Sequence, residues 1–338
     1  MANLFKRSVT FTDLHFGLKH NSKEHNEDCI QFIKWFIDIA KQKDAETCFF
    51  MGDYQHHRNS INVLTQNYML EGLKLLNDNF SKTYFLVGNH DMFWKERRDI
   101  TSSKFASLFP NIELIEDIVV KDEVALVPWM VEDEWKRIPK IKSKYMFGHL
   151  EIPGFKMNAS VEMPDHGTIN EKHFSHQEYV FSGHFHKRQT KGKINYVGNP
   201  FGHNYSDVWD FDRGAMFLEW DSEPEFINYS EGARYINISL SSLMTDPDAY
   251  LKPKTHLQVV LDTTVSYEEA IFLREEFLLQ YPEIREFKLI KPTDADISIN
   301  NGKDISCKTI DEIVIEQLSN LDGDTFDLET LIEIYDRL

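Results

Sequence analysis

Short apolar runs alternate with helix-like segments along the first two thirds of the chain. Residues 8–12 and 47–51 are apolar runs of strand length, and helical spacing of apolar residues follows them at residues 24–43 and 61–78. A further helix is predicted at residues 102–108. Additional apolar runs occupy residues 83–87, 125–129, 144–147, 179–182 and 194–197. This alternation predicts an α/β core.

The C-terminal part of the chain has a different organisation. Residues 255–291 predict a strand, a helix and a second strand, and Ser266 with Glu269 forms a capping box at the start of that helix. A polar stretch follows, and then two amphipathic helices are predicted. These later segments are a linker at residues 293–304 and helices at residues 309–318 and 326–338. We therefore expect a main domain at residues 1–250, a small α/β capping domain at residues 251–292, and a linker with C-terminal helices at residues 293–338.

The net charge is unevenly distributed along the chain, and this distribution bears on which partners the main domain can bind. The 338 residues carry a formal net charge of -18 at pH 7. Residues 1–220 contain 27 Lys and Arg against 30 Asp and Glu, whereas residues 221–338 contain 10 against 25. Because the acidic excess is mostly C-terminal, the charge does not exclude nucleic acid as a partner of the main domain.

Other features of composition bear on the cellular compartment. No apolar run approaches the roughly 18 residues that a membrane span needs. Three scattered cysteines, at Cys29, Cys48 and Cys307, form no disulfide framework. We expect a soluble protein with no membrane partner, located in the cytoplasm, or in the host cytoplasm if the gene is viral.

Polar residues of metal-binding type follow several of the predicted strands. The run at residues 83–87, for example, ends in Gly-Asn-His-Asp at residues 88–91. Thirteen of the fourteen histidines lie at or before His203, so the chemistry belongs to the main domain. The side chains at the strand ends are Asp13, His15, Asp53, Asn89, His90, His149, His184 and His186. This set of oxygen and imidazole ligands, without thiolate, suits Mn, Fe or Zn better than a closed structural zinc site.

A set of this kind can hold two divalent ions. Ions about 3.5–4 Å apart that share a carboxylate can activate water and hold both oxygens of an in-line phosphoryl displacement. Asp53 is the candidate for the shared carboxylate. Any one of the histidines, taken alone, could be an ordinary packed histidine of the core. Their occurrence together and in order favours a metal centre.

The five motifs resemble those of the calcineurin-like metallophosphoesterases, and they occur in the same order as in that family. They are Asp13-Leu14-His15, Gly52-Asp53, Gly88-Asn89-His90-Asp91, Gly148-His149 and Gly183-His184-Phe185-His186. The resemblance implies a sandwich of two sheets flanked by helices. It also implies that His90 acts beside the leaving group as a general acid or charge stabiliser. By the same resemblance, Asp13, His15 and His186 hold one metal, Asn89, His149 and His184 hold the other, and Asp53 holds both.

Within this superfamily the chain is most similar to the nuclease subunit of SbcCD-type DNA double-strand-break repair complexes, especially its short phage recombination-nuclease relatives. Three features carry the resemblance: His56 three residues after Asp53, the strand-loop-strand pattern of residues 196–220, and the cap with terminal helices. It implies a Mn-dependent DNA nuclease, acting as an exonuclease on duplex ends and an endonuclease on single strands, in recombination, repair and replication. It further implies two divalent ions per subunit, and an SbcC-like coiled-coil ATPase bound through the C-terminal helices.

Candidate catalytic residues are His90, His56 and Asp91, with Asp91 expected to hold the His90 ring in one orientation. His56 could equally be an ordinary surface residue. The helices near residues 61–78 and 102–108 could cover the core or pair two subunits in a homodimer. Basic residues in loops beside the motifs are candidate DNA contacts. They are Lys19, His20, Lys23, Arg58, Lys95, Arg97, Arg98, Lys187 and Arg188.

Two other functions are compatible with the sequence. A phosphatase, or a cyclic-nucleotide phosphodiesterase, could use the same metal centre on a smaller substrate. Alternatively, a non-catalytic scaffold could keep the fold and bind partners through its helices, although no ligand position of the motifs is empty.

Overall fold

A computed structural model describes residues 3–157, 161–165, 167–262 and 265–290. The linker and the two C-terminal helices predicted beyond residue 292 lie outside these residues. Among the residues described, no helix combines the length and the apolar character that a membrane span requires.

The described residues contain strands of three sheets and one hairpin. The strands are β1 (Arg7–Phe11), β2 (Thr47–Phe50), β3 (Lys82–Leu86), β4 (Met92–Trp94), β5 (Arg97–Thr101), β6 (Ile112–Ile115), β7 (Val119–Lys121), β8 (Val124–Val127), β9 (Tyr145–His149), β10 (Tyr179–Gly183), β11 (Gln189–Lys191), β12 (Ile194–Tyr196), β13 (Gly214–Glu219), β14 (Glu225–Asn228), β15 (Arg234–Ser239), β16 (Thr255–Val260) and β17 (Glu286–Ile290).

Helices connect these strands. The α-helices are α1 (Leu18–Asn21), α2 (Lys23–Gln42), α3 (Val63–Asn79), α4 (Leu240–Thr245), α5 (Pro247–Tyr250) and α6 (Tyr267–Gln280). The 3-10 helices are Ser102–Leu108, Glu134–Lys140, Glu171–Phe174 and Tyr205–Asp207. The segment predicted as a helix at residues 102–108 is therefore helical, but with the tighter 3-10 geometry that short helical connections adopt.

Two six-stranded sheets form the main domain. The first has the order β14-β13-β1-β2-β3-β6, and the second has the order β11-β12-β10-β9-β8-β7. Strands β1, β2, β3 and β6 run parallel in the first sheet, and β8, β9, β10 and β12 run parallel in the second. Parallel strands deliver the loops that follow them to one edge of a sheet. The predicted two-sheet α/β fold is confirmed.

Aromatic packing between the two sheets holds the sandwich together. The ring of Phe49 on β2 lies 3.9 Å, centroid to centroid, from the ring of Phe147 on β9, and the two rings are nearly parallel. Both side chains are fully buried, as are Met51 and Phe181 of the same cluster. Burying a large aromatic side chain removes 150–250 Å² or so from water, so this layer contributes strongly to stability.

Helices α2 and α3 cover the outer face of the first sheet. The apolar face of α2, including Phe32, Ile33 and Phe36, is buried there against the sheet. The Ser22 hydroxyl caps α2 by accepting a hydrogen bond from the backbone N–H of His25, and the Asn62 side chain caps α3. These caps and the apolar face of α2 explain why the predicted ends of α2 and α3 fall within a few residues of the observed ends.

A three-stranded parallel sheet with α6 forms the small C-terminal unit. Its strand order is β15-β16-β17, and α6 starts with the predicted capping box between Ser266 and Glu269. Strand β15 precedes the predicted boundary at residue 250, although it pairs along its whole length with β16. The buried residues Tyr235, Ile236 and Ile238 do not alternate regularly with exposed ones, so the sequence pattern predicts no strand at this position.

The small unit is tied to the main domain by charged groups. The guanidinium of Arg285 donates two hydrogen bonds to the carboxylate of Asp28 on α2, and the ammonium of Lys254 lies 2.9 Å from the same carboxylate. Burial acts to raise the pKa of Asp28, but Arg285 and Lys254 outweigh it and lower that pKa. Asp28 is therefore ionised at neutral pH and fixes the cap against α2.

Candidate metal centre

The seven predicted metal ligands meet where the two sheets abut. Asp13 and His15 follow β1, Asp53 follows β2, and Asn89 follows β3, so the first sheet delivers four of them from adjacent parallel strands. His149 ends β9 in the second sheet, and His184 and His186 follow its neighbour β10.

Unusual backbone conformations mark this cluster. Asp13, His15, Asp53 and His184 all have positive φ angles, of 54°, 52°, 60° and 85°. Residues other than glycine rarely adopt this region, and such strain persists where surrounding structure enforces it, commonly at functional sites. Gly88 permits a close approach of two loops, because a Cβ atom there would overlap the Asp53 carboxylate and backbone nitrogen. The loops are thus shaped around the ligand side chains.

One group of ligand atoms surrounds His15. Its Nε2 atom lies 3.8 Å from Asp13 Oδ1 and 3.7 Å from Asp53 Oδ2. His186 Nε2 lies 4.0 Å from the same Asp13 Oδ1. Asp13 Oδ2 is already used, since it accepts hydrogen bonds from the Thr12 hydroxyl and the backbone N–H of His184. The first group is therefore Asp13 Oδ1, His15 Nε2, Asp53 Oδ2 and His186 Nε2.

A second group of ligand atoms surrounds Asn89. Its amide oxygen lies 2.9 Å from His149 Nε2 and 3.1 Å from His184 Nδ1, and His149 Nε2 lies 3.4 Å from Asp53 Oδ2. Asp53 Oδ1 accepts a hydrogen bond from the backbone N–H of His90, so Oδ2 is the oxygen that faces both groups. This is the shared position that was predicted for Asp53.

Hydrogen bonds behind the second group select the tautomers that metal binding requires. His149 Nδ1 lies 2.6 Å from the carbonyl oxygen of Met51, and His184 Nε2 lies 3.4 Å from a carboxylate oxygen of Glu151. Each of these acceptors holds the ring proton on the outer nitrogen and leaves the inner nitrogen with a free lone pair. Carboxylate or carbonyl partners of this kind commonly orient metal-binding histidines. Glu151 was not identified from the sequence.

Buried polar atoms test whether this chain fits divalent ions. Asp13 Oδ1 and His15 Nε2 are buried and have no hydrogen-bond partner among the described residues. Burying such groups without a partner is costly, and a cation between them removes the cost. Asp13, His15 and Asp53 place ligand atoms within 4.8 Å of one another, and so do Asp53, His149 and His184. The residues therefore fit divalent ions, and Asp53 is common to both groups of candidate ligands.

The pKa shifts of His15 and His149 are consistent with the binding of cations by these residues. Burial, followed by the neighbouring imidazoles of His90 and His186, holds the pKa of His15 well below its ordinary value, so that His15 is a neutral ligand. Burial also acts to lower the pKa of His149, but the adjacent Asp53 carboxylate outweighs it and raises that pKa to about 9, so a bound cation would take the place of the second ring proton on Nε2. The Asp53 carboxylate thus attracts positive charge at the position where the two groups meet.

His90 and His56, the two histidines expected near the substrate, lie beside the first group. His90 Nδ1 lies 2.8 Å from the carbonyl oxygen of His56, which fixes its proton on Nδ1 and leaves Nε2 for proton transfer. The two rings stack with centroids 5.2 Å apart. His56 Nδ1 lies 3.4 Å from His15 Nδ1, so His56 also supports a predicted metal ligand from behind.

Asp91 does not hold the ring of His90, contrary to the expectation from the sequence. Its fully buried carboxylate accepts hydrogen bonds from four backbone N–H groups, at distances of 2.9–3.1 Å. These belong to Asp53, Tyr54, Gln55 and Gly88. Burial and the Asp53 carboxylate act to raise the pKa of Asp91, and the backbone N–H donors of Gly88 and Gln55 act to lower it by stabilising the ionised carboxylate. Asp91 therefore braces two ligand-bearing loops against each other, and the backbone carbonyl of His56 orients His90.

The predicted DNA contacts separate into two classes. Arg98 is bound on all sides by protein: its guanidinium contacts Glu134 at 2.5 and 2.7 Å and donates to the carbonyl oxygens of Glu116 and Trp129. Arg188 is partly buried, donates to the carbonyl oxygen of Val197 and lies over the ring of Phe226. Both side chains therefore stabilise loops. Lys19 packs over the ring of Tyr235, and Lys187 lies 3.5 Å from Asp210.

The second class lines a groove beside His90. This basic aromatic groove has a volume of about 490 Å³ and is lined by His56, His57, Arg58, His90, Trp94 and Lys95, among others. At the edge of this groove, the guanidinium of Arg97 lies over the ring of Trp94, with 5.1 Å between the guanidinium and the ring centroid. Arg58 Nη1 is buried without a hydrogen-bond partner among the described residues. Of the remaining candidates, His20 and Lys23 belong to the α1–α2 region and do not line this groove.

His203 and Trp129 also contact the centre and were not identified from the sequence. The buried His203 ring lies 5.5 Å from the ring of His15 and 5.3 Å from that of His186, and both of its nitrogens lack a partner among the described residues. Its position just after the Gly-Asn-Pro turn at residues 198–200 was the available signal. The Trp129 ring lies 4.8 Å from the ring of His184.

Comparison with known proteins adds independent information. The profile of the family described as calcineurin-like phosphoesterase matches residues 7–188. Exonuclease subunit 1 of Enterobacteria phage T4 is 27% identical over 225 residues, which cover 64% of this chain and 65% of that protein. The chain thus matches slightly less than two thirds of the length of this relative.

Two solved structures are also similar. The nuclease MPE of Pseudomonas putida is 20% identical, with 56% of this chain and 66% of that chain covered and a TM-score of 0.30. The E. coli phosphoesterase Yfce is 16% identical, with 64% of this chain and 89% of that chain covered and a TM-score of 0.31.

Proposed function

Because the chain belongs to the calcineurin-like phosphoesterase family, we propose that it is a divalent-metal-dependent DNA nuclease that hydrolyses phosphodiester bonds. The observation that carries this proposal is the basic aromatic groove beside His90. A phosphate monoester needs only the metal centre and a few charged contacts. A groove that combines exposed aromatic rings with Lys and Arg side chains is typical of proteins that bind single-stranded nucleic acid.

Trp94 and Phe93 provide the aromatic part of this groove. They lie on the β4–β5 hairpin, and their side chains are exposed although both are large and apolar. Bases of any identity can stack on such rings, because every base has a π-face. Lys95 and Arg58 then supply positive charge for the backbone phosphates. The hairpin therefore guides a nucleic-acid strand toward His90.

The ligand residues and His90 divide the chemistry between them. Two divalent ions held by the two ligand groups would activate a water molecule and neutralise charge on the phosphate oxygens. Asp53 sets the spacing of the groups through its shared Oδ2. The His56 carbonyl holds the Nδ1 proton of His90, so a second proton, carried on Nε2 when the ring is doubly protonated, would be the one donated to the leaving oxygen. The Glu151 and Met51 acceptors keep His184 and His149 in their ligating tautomers.

The finer parts of the proposal concern the metal, the partner and the assembly. Manganese suits a site of mixed carboxylate, amide and imidazole ligands. The similarity to an exonuclease subunit supports a partner subunit, for which we propose an SbcC-like coiled-coil ATPase that binds the C-terminal helices. A homodimer is supported by exposed Val63 and Leu64 at the start of α3 and exposed Leu108. Recombination, repair and replication of DNA in a host cytoplasm would be its setting.

Purified protein provides the test. With Mn²⁺, it should degrade linear duplex and single-stranded DNA faster than it releases phosphate from a monoester, and His90→Ala should abolish the DNA cleavage. Release of phosphate from monoesters with linear DNA left intact would favour the phosphatase alternative instead.

A further inference from the structure

A second cavity adjoins the metal centre on the side of the second ligand group. This aromatic cavity has a volume of about 200 Å³ and is lined by Trp129, Met130, Glu132, Trp135, Met163 and Ile169, among others. It also reaches His149, which is a predicted metal ligand. The basic aromatic groove has different lining residues and reaches the centre through His56 and His90. The centre is thus contacted by two distinct depressions with aromatic walls.

Hydrogen bonds fix the wall of the aromatic cavity that lies nearest the candidate metal ligands. The Trp129 backbone N–H donates to the carbonyl oxygen of Val87 at 2.8 Å, at the end of β3. Its own carbonyl oxygen accepts a hydrogen bond from Arg98, which is in turn fixed by Glu134. The Trp129 ring packs 4.8 Å from the ring of His184 and 6.0 Å from that of His149. A planar ligand in the cavity would therefore meet a fixed surface adjoining the metal ligands.

Charge and size limit what the cavity can bind. Glu132 and Glu151 are among its lining residues, and among the described residues that line it none is a Lys or an Arg. Carboxylates repel a phosphate but accept hydrogen bonds from amino and imino groups. At about 200 Å³ the cavity is smaller than the roughly 300–1,000 Å³ of pockets for drug-sized ligands. A single neutral ring system with amino or imino groups on its edge fits these properties.

We propose that the aromatic cavity binds one nucleobase of the DNA substrate, from the nucleotide next to the cleaved phosphate, turned out of the base stack. The inference rests on the proposed nuclease function and adds a base-binding subsite to it. Trp135 and Trp129 supply the stacking surface, and Glu132 receives donor groups on the edge of the base. A base that is unpaired or at a fraying end costs least to turn out, so the subsite favours such nucleotides.

Oligonucleotides with a single abasic site test the proposal. The abasic position is moved through the nucleotides on either side of the mapped cleavage site, and single-turnover cleavage by the wild-type protein is measured with Mn²⁺. We expect one position at which loss of the base slows cleavage about tenfold. This equals about 1.4 kcal/mol, which lies within the 1–3 kcal/mol or so of one base stacked on an aromatic ring.

Variants at Trp135 connect that sensitivity to the cavity. Trp135→Ala should cleave intact DNA about tenfold more slowly, and its ratio of intact to abasic cleavage should fall to about one, whereas Trp135→Phe should recover part of the ratio. Trp209→Ala is the matched control, since Trp209 is a half-exposed tryptophan outside the cavity, and it should keep the wild-type ratio. A binding readout uses the His90→Ala background with 2-aminopurine at the sensitive position. Its fluorescence should change on binding, and Trp135→Ala should remove this change.

The outcomes separate the subsite from the proposed function. If wild-type protein cleaves DNA but is indifferent to an abasic site at every tested position, or if Trp135→Ala retains the wild-type ratio, the base subsite is refuted and the nuclease function stands. If wild-type protein with Mn²⁺ cleaves no DNA at all, the proposed function fails and the subsite fails with it.

Discussion

Replacement of Asp91 by Asn is expected to loosen the metal centre without touching a metal ligand or His90. Oδ1 of Asp91 accepts hydrogen bonds from the backbone N–H groups of Tyr54 and Gln55, and Oδ2 accepts from those of Asp53 and Gly88. Asparagine has nearly the same shape but only one oxygen. Its NH₂ group would face two of these N–H donors, which would then be buried without an acceptor.

The size of the effect follows from these four contacts. Each buried N–H that loses its acceptor costs about 1–3 kcal/mol, so Asp91→Asn should lower the free energy of unfolding by about 2–6 kcal/mol. This is a large part of the roughly 5–15 kcal/mol by which a typical domain is stable. Asp91→Ala, which removes all four acceptor contacts, should cost more. Because each of the two N–H pairs includes a residue of the loop that carries Asp53, weaker Mn²⁺ binding should accompany the loss of stability.

Urea denaturation followed by circular dichroism measures the first effect, and isothermal titration with Mn²⁺ measures the second. Asp99→Asn is the matched control, because Asp99 is an exposed aspartate on β5, and its replacement should change stability by less than about 0.5 kcal/mol. If Asp91→Asn unfolds like the wild type and binds Mn²⁺ normally while losing activity, the bracing role is refuted and a direct catalytic role for Asp91 is favoured.

Four other substitutions give separate predictions. His90→Ala should retain bound metal while kcat for DNA cleavage falls about 10²–10⁴-fold, whereas Asn89→Ala should lose metal on dialysis. Metal analysis together with kinetics distinguishes the two variants. Metal loss from His90→Ala would contradict the role of His90 as a proton donor outside the ligand set. His203→Ala should weaken Mn²⁺ binding about 10–100-fold in a calorimetric titration, and unchanged affinity would restrict His203 to packing. Asp28→Asn should cost about 3 kcal/mol at pH 7 by breaking the contacts with Arg285. Since the pKa of Asp28 is lowered in the folded protein, this difference should shrink as the pH falls below about 4 in urea titrations, and a pH-independent difference would refute it.

The residues at the strand ends could be recognised from sequence because they are local features, and their assignment as metal ligands stays a prediction. An apolar run that stops at glycine and a ligand-type residue is visible within a few residues, and the family motifs fixed the order of these runs. Family membership confirms the expectation of a metal-dependent phosphoesterase on a two-sheet fold. The pairing of the ligands into two groups around Asp53 Oδ2 matches the arrangement that the resemblance implied.

Roles that depend on distant contacts could not be predicted in the same way. Arg98 looked like a free basic residue in a loop, but its partner Glu134 lies 36 residues further along the chain. Asp91 follows His90 directly, yet its carboxylate is used by backbone groups 36–38 residues earlier as well as by Gly88. Sequence proximity suggested a contact with the His90 ring, and the buried N–H groups decided otherwise.

The same limit applies to residues that were overlooked. His203 is surrounded by the rings of His15 and His186, from two separate loops, and of His25 on α2, and no motif spacing relates it to them. Trp129 ends an apolar run, and this pattern predicts only that it belongs to a strand. Strand β15 was missed because a six-residue strand with one exposed position inside it has little periodicity to detect. Tertiary contacts decide each of these cases.

A panel of metals against substrates tests the central claim most directly. Wild-type protein and His90→Ala are incubated with Mn²⁺, Mg²⁺ or Zn²⁺ and with blunt duplex DNA, single-stranded DNA or a phosphate monoester. The account predicts cleavage of both DNA substrates that requires a divalent ion, is fastest with Mn²⁺, and is lost in His90→Ala. Intact DNA under every metal, with phosphate released from the monoester, would contradict it.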